Sequence, residues 1–384
     1  NISAMSFGAL SSNAIRALNK GAKTGNFSHN TGEGSVSPHH LEHGGDLVWQ
    51  IGTGYFGCRD KEGNFNPDTF AAMAKKDNVK MIEIKLSQGA KPGHGGILPA
   101  GKNTIEIAQI RSVEAGTQVD SPPSHSAFST PMEMMEFIHE LRTLSGGKPI
   151  GFKLSVGRKS EFFAVCKAMI ASKIQPDFIT VDGGEGGTGA APLEFSNSVG
   201  MPLREALSFV CDTLIGFDLK KDIKVIASAK IFTGFHLVKN FALGADACNS
   251  ARGMMVALGC VQSLVCNTNE CPVGVATQNP TLAKGLVVSN KAERIARFQQ
   301  TTVKATSEII SSAGLEHPNE LNRSHIYRRV SQTEIKRYDE IYPYPQAGCL
   351  LTKNYPEKFA LEMQESCPES FMPAPIDTTL RAKG

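Results

Sequence analysis

The strongest constraint on the fold is an alternation: short apolar segments recur along the chain, and each is followed by a stretch with helical periodicity. About eight such units can be counted, with strands predicted at Ile2 to Ser6, Asn26 to Asn30, Leu47 to Ile51, Lys80 to Lys85, Pro149 to Leu154, Phe178 to Asp182, Lys224 to Ser228 and Ala245 to Ser250. Apolar strands joined through helices make parallel sheets. Eight units without a clear break favour a (β/α)8 barrel over a doubly wound sheet. Helices are expected over Ser12 to Gly25 and Pro131 to Leu144, where Thr130 supplies a cap ahead of a proline at the first helical position. Met134, Phe137, Ile138 and Leu141 share one face of the second helix, which reads as packing against a sheet.

The barrel is expected to occupy residues 1–285, leaving 286–384 as a helical and proline-punctuated extension. One helix is predicted from Asn290 to Ala313; the tail beyond it, with Pro343, Pro345, Pro356, Pro368, Pro373 and Pro375, is expected to wrap the barrel or meet a neighbour. With 40 Lys and Arg against 37 Asp and Glu, the chain shows no basic stripe or run of like charge, which argues against a nucleic-acid partner. Nine cysteines spread over 384 residues, without a secretory signal, point to reduced thiols and a cytoplasmic location. The longest apolar run, about Gly253 to Cys266, falls short of the roughly 20 residues that span a bilayer. Asn1 lies in a strand already under way, so an upstream segment, including one that associates with a membrane, stays open.

Three cysteines, Cys260, Cys266 and Cys271, stand at C-x5-C-x4-C in a polar loop closed by Pro272 and Gly274. Cysteine is among the most buried residue types, so two local thiols would read as packing. Three at this spacing suggest a ligand loop for an iron–sulfur cluster, or for zinc with a fourth ligand from elsewhere.

In a barrel the active site is built from residues that follow the strands. Here they are polar and glycine-rich: Ser6 to Ser11, Asn30 to Ser35, Lys85 to Gly96 and Asp182 to Pro192. Several glycine loops around one rim, with lysine among them, describe a site for a large, flat, anionic ligand. Lys85 and Lys153 end strands inside apolar runs; they read as ion-paired barrel residues or as cations beside a flavin ring. Glu33 is either a solvated turn residue or a gatekeeper. His29 is undecided, and His94 and His125 read as loop residues of the kind usually found on the surface. Lys230, Gly234 and Arg252 follow the last two strands, where barrels commonly hold phosphate.

Taken together, Ser3 to Ser11, Gly32-Glu33-Gly34, Lys85 to Gly93, Asp182 to Ala190 and Cys260 to Gln278 resemble, in order, the FMN-binding synthase domain of glutamate synthase. The likeness to stand-alone FMN-binding glutamate synthase-like proteins extends to Gly52 to Asp60 and Pro192 to Ser198. The resemblance implies a flavin-bearing barrel with a [3Fe-4S] cluster on Cys260, Cys266 and Cys271. It implies reductive chemistry in which a 2-imino acid, formed from 2-oxoglutarate and ammonia, takes a hydride from reduced FMN to give L-glutamate. On the same basis Lys85, Gln88 and Glu33 are expected at the catalytic end. Met5, Ser6 and Lys153 would touch FMN, and Asp182, Gly183, Gly184, Lys230, Gly234 and Arg252 would lie toward its ribityl phosphate. Implied partners are an electron-donor protein (ferredoxin or a reductase subunit), a glutaminase or amine source, and a second copy of the chain. Two positions depart from the family pattern: Ser228-Ala229-Lys230 stands where Asp-Gly-Gly is usual, and His94 replaces an acidic residue. Alternative readings are an amine-transfer subunit of the methylamine–glutamate type and a non-catalytic electron-transfer subunit.

Overall fold

The computed structural model describes residues 1–187 and 191–375, so Thr188, Gly189 and Ala190 of the Asp182 loop lie outside the described residues. Seven strands form one sheet in chain order: β1 (His29–Asn30), β2 (Leu47–Ile51), β3 (Val79–Lys85), β4 (Ile150–Leu154), β5 (Phe178–Asp182), β6 (Lys224–Ser228) and β7 (Ala247–Asn249). Every pairing is parallel. The N-terminal segment closes the ring. Ile2 bridges in parallel to both His29 and Ser250; its N–H donates to Ser28 O at 2.9 Å, and Ser3 N–H donates to Ser250 O at 3.0 Å. This edge-to-edge closure makes the expected (β/α)8 barrel.

The strands read as almost uninterrupted apolar runs because both faces are covered. All five residues of β2 and of β5 are buried, as parallel strands sandwiched between a core and helices should be. The helix Pro131–Leu144 starts where predicted, in a capping box: Thr130 Oγ1 accepts from Glu133 N–H at 3.1 Å, and Glu133 Oε2 accepts from Thr130 N–H at 3.1 Å. Its predicted face is buried at Met134, Phe137, Ile138 and Leu141.

One feature departs from expectation. Residues 86–130, between β3 and the helix Pro131–Leu144, make a long excursion. It contains a two-stranded antiparallel ladder (Ile97–Leu98 with Val119–Asp120) and the helix Ile105–Arg111. Segments of two and seven residues carry too little periodicity to announce themselves. The helix Val288–Ser312 packs against Ser12–Gly25, Gly234–Ala242 and Arg252–Leu258.

The tail beyond it wraps the barrel. Arg323, with no exposed side-chain surface, donates to Asp212 Oδ1 and Tyr342 O, each at 2.6 Å, and lies over the Tyr344 ring. Phe359 meets Phe163, and Leu350 packs at Gly216. Among the described residues no helix is long and apolar enough to cross a membrane.

Candidate functional site

A cavity of about 320 Å³ opens at the carboxyl ends of the strands, a volume in the range of small-ligand sites. It is lined by Met5, Ser6, Glu33, Lys85, Gln88, Lys153, Asp182, Lys230, Arg252, Cys260 and Cys266. Eleven of the fifteen residues singled out from sequence thus share one wall. The other four do not line it. Gly183 and Gly184 serve backbone packing: a side chain on Gly184 would collide with Gly200, and one on Gly183 with Leu203. Their neighbours Gly186 and Gly187 line the cavity instead. Gly234 begins the helix Gly234–Ala242 and lies against the Ala305–Thr306 backbone. Cys271 is buried just behind the wall, in the cluster that holds Met254 and Val275.

Charge sets the character of the cavity. Seven cations, Lys85, Lys91, Lys102, Arg111, Lys153, Lys230 and Arg252, line it against two carboxylates, Glu33 and Asp182. The first five of these cations are buried. Several uncompensated cations in a low-dielectric wall are costly unless an anionic ligand completes the site.

At the end of β3, Lys85 Nζ stands 3.1 Å from Glu33 Oε2. The Glu33 carboxylate sits between Gly52 and Gly96, at both of which a Cβ would strike it. Burial pushes the Glu33 carboxyl up, but Lys85, then Arg111 and Lys91, outweigh this and hold it below its usual value. At the end of β4, Lys153 Nζ lies 3.5 Å from Asp182 Oδ2. Burial would discharge Lys153; Asp182 first, and then Glu83, reverse that and raise its pKa. Asp182 Oδ2 also accepts from Gly89 N–H at 2.8 Å, tying the Gln88 turn to β5.

His125 is 7% exposed and lies under Lys85, not on the surface. Ala127 N–H donates to the Tyr55 hydroxyl at 3.1 Å, the hydroxyl meets His125 Nδ1 at 3.0 Å, and His125 Nε2 meets Lys85 O at 3.0 Å. A carbonyl only accepts, so Nε2 carries the proton and Tyr55 O–H donates to Nδ1. Burial, above all, lowers the His125 pKa to about 4. His29 is fully buried with neither ring nitrogen hydrogen-bonded, 5.2 Å between ring centroids from His40. His94 is partly exposed, with Nδ1 at 3.0 Å from Gly95 O and its ring edge-on to Phe195.

Sequence reading missed Arg111 and Lys102 and took His125 for a surface loop residue; all three are delivered by the excursion. Arg111 Nη2 donates to Phe7 O at 3.0 Å, and a Cβ at Gly8 or Gly34 would meet its guanidinium. Lys102 Nζ donates to Ala9 O at 2.7 Å and Cys266 O at 3.0 Å, joining the first rim loop to the cysteine loop. Ser11 Oγ to Gly274 O (2.7 Å) and Gln278 Nε2 to Gly8 O (3.0 Å) stitch the same two loops. The one signal for these residues was composition: basic side chains within a glycine-rich stretch that helical periodicity left unassigned.

The helix Arg252–Leu258 ends at Gly259, in the left-handed region, and hands the chain to Cys260. Gln262, Leu264 and Asn269 in the following loop are left-handed without being glycine, a conformation that persists where surrounding structure enforces it. The Cys266 thiol is pushed up by burial first and then by Cys260 and Cys271, so the three sulfurs are electrostatic neighbours. Among the described residues no three His, Cys, Asp or Glu side chains gather as the ligands of a single metal ion, these cysteines included.

Comparison with known proteins places these features in context. Residues 1–316 match the model of a family described as the conserved region in glutamate synthase. The chain is 41% identical over 340 residues to the glutamate synthase large subunit-like protein YerD of Bacillus subtilis, covering 88% of this chain and 64% of that protein. It is 33% identical over 315 residues to the archaeal glutamate synthase [NADPH] of Methanocaldococcus jannaschii, covering 82% and 58% respectively. The chain therefore spans about six-tenths of the length of these relatives. Among solved structures, a flavocytochrome b2 variant with sulfite bound aligns at a TM-score of 0.51 and 14% identity, over 84% of this chain and 67% of that one. A mandelate oxidase variant with a monooxide FMN adduct aligns at 0.50 and 16%, over 84% and 77%. At these identities the likeness concerns the barrel alone.

Proposed function

The chain belongs to the glutamate synthase family, and on that premise we propose that it is a flavin- and iron–sulfur-dependent oxidoreductase that reduces a 2-imino acid, formed from 2-oxoglutarate and ammonia, to L-glutamate. The observation that carries this reading is the cationic cavity, seven positive side chains against two negative ones at the strand ends. FMN and 2-oxoglutarate are both dianions near neutral pH, and together they would neutralise most of that excess. When bound, FMN would supply a two-electron reductant, and a [3Fe-4S] cluster would pass single electrons to it from a donor protein.

The residues divide the work by position. Lys153, kept charged by Asp182, would lie beneath the ring, with Met5 and Ser6 beside it. Lys230 and Arg252, with Gly186 and Gly187 close by, would hold the phosphate. Lys85 and Gln88 would face the 2-oxo acid, Lys85 placing positive charge where the carbonyl oxygen becomes negative as ammonia adds. Lys91 and Arg111, both buried in the wall, would take its carboxylates. Cys260, Cys266 and Cys271 would hold the cluster. The thiols are electrostatic neighbours and two of them line the cavity, which supports the assignment. Ligands of a cluster bind separate irons, so they need not converge on one point as zinc ligands do. Electrons would come from ferredoxin or a reductase subunit, and ammonia from solution or a glutaminase partner.

Anaerobically reduced protein given 2-oxoglutarate and ammonium is expected to form glutamate and regain its oxidised absorption. Absorption that stays reduced, with no product by mass spectrometry, would turn the reading toward amine transfer or an electron-transfer subunit.

A further inference from the structure

Glu83, on β3, points into the barrel interior and is 1% exposed. Among the described residues it forms no ion pair. Its Oε1 accepts from Asn30 Nδ2 at 2.8 Å and from Gln50 Nε2 at 2.7 Å, and its Oε2 accepts from Thr180 Oγ1 at 2.6 Å. One carboxylate thereby ties β1, β2, β3 and β5 together. It also fixes two amides, because an acceptor-only partner forces the NH2 group of each toward itself. The consequence for Asn30 is visible: its Oδ1 faces away and accepts from Gly32 N–H at 3.0 Å, setting the start of the Glu33 turn. Gln50 lines the cavity, and its Oε1 has no hydrogen-bond partner among the described residues.

We propose that Glu83 is a positioning residue that holds Gln50 as a fixed hydrogen-bond acceptor in the cavity wall, so that the bound ring must present an N–H at that point. This rests on the flavin reading above. Oxidised isoalloxazine has one ring N–H, at N3, so Gln50 selects the pyrimidine edge and sets which way round the ring lies. A buried acceptor left facing a group without a proton loses its hydrogen bond and keeps its desolvation cost, a penalty of about tenfold or more in affinity.

The test uses the full chain, freed of flavin by bromide dialysis and titrated with FMN and with N3-methyl FMN by fluorescence quenching. The wild type is expected to prefer FMN by roughly tenfold or more. Gln50→Ala removes the acceptor and makes room for the methyl group, and should bring the ratio to within about threefold. Glu83→Gln keeps the shape but frees the Gln50 amide to turn over, and should move the ratio the same way. A Glu83→Gln protein that folds and discriminates as strongly as wild type overturns the positioning role of Glu83; if it does not fold, the Gln50→Ala comparison still decides whether Gln50 is the acceptor that Glu83 is held to position. A wild type that binds both flavins equally, or a Gln50→Ala protein that discriminates as strongly as wild type, overturns the assignment while leaving the flavin reading intact. A wild type that binds neither overturns both.

Discussion

Replacing Lys85 with Met is expected to slow glutamate formation by roughly 10²- to 10³-fold while the protein still takes up flavin. Lys85 is 8% exposed, lines the cavity and has its ammonium 3.1 Å from Glu33, which supports the proposal that it acts at the reacting end and not at the phosphate end. The substitution has a second effect that must be separated from the first. Lys85 is the foremost group holding the buried Glu33 carboxyl below its usual value. Without it, Glu33 loses its closest partner in a site where an unpaired charge costs several kcal/mol. Arg111 and Lys91 remain and soften that loss. Adding Glu33→Gln removes the buried charge, so the double variant should recover thermal stability without recovering turnover. Equal recovery of both would mean that Lys85 is a structural ion-pair residue, the reading its place in an apolar strand also allowed.

Acid should loosen the fold well before the carboxylates as a class are protonated. His29, His40 and His125 are all buried, and in each case burial is the leading cause of a lowered pKa, to about 3 for His40 and about 4 for His125. Protonating either member of the His29–His40 pair also places charge beside its neighbour. In the unfolded chain a histidine titrates near 6.5. Between that value and the depressed folded value the unfolded state binds more protons, so stability falls as pH falls through this window and levels off below the folded pKa. Each histidine is worth about 2 kcal/mol between pH 7 and pH 5. Asp212 and Glu161, whose carboxyls burial raises, act in the opposite direction toward the acid end. Urea unfolding at pH 7, 6 and 5 should show the midpoint dropping at each step with the slope unchanged. A midpoint that is flat over this range would mean that the imidazoles are not held neutral.

The barrel could be read from the chain because its strands are buried on both faces and its helices are amphipathic, so each unit carries a local signature. β2, β5 and β6 begin and end where the sequence put them, and so does the helix Ser12–Gly25. Much of the cavity lining was legible because fold geometry gathers strand ends on one rim: Lys85 and Asp182 close strands, and Lys153 is the last residue but one of its own. What stayed hidden depends on distance along the chain. Arg111 reaches Phe7 O across 104 residues, and Lys102 reaches Cys266 O across 164. Glu83 looked like one more strand residue until Asn30, Gln50 and Thr180 converged on it from three other strands. Gly183 and Gly184 show a further thing the chain hides: glycine marks close backbone approach without naming the neighbour, and a side chain there would meet Leu203 and Gly200.

The proposed function assigns one cavity to a flavin and the cysteine loop in the same wall to an iron–sulfur cluster. The most direct measurement is the absorption spectrum of anaerobically purified protein, with iron and FMN content per chain and electron paramagnetic resonance of wild type and Cys266→Ser. The expected result is flavin bands over broad iron–sulfur absorption, close to one FMN per chain, and a cluster signal that Cys266→Ser abolishes. A colourless protein free of flavin and iron, or a cluster signal that survives Cys266→Ser, would contradict it.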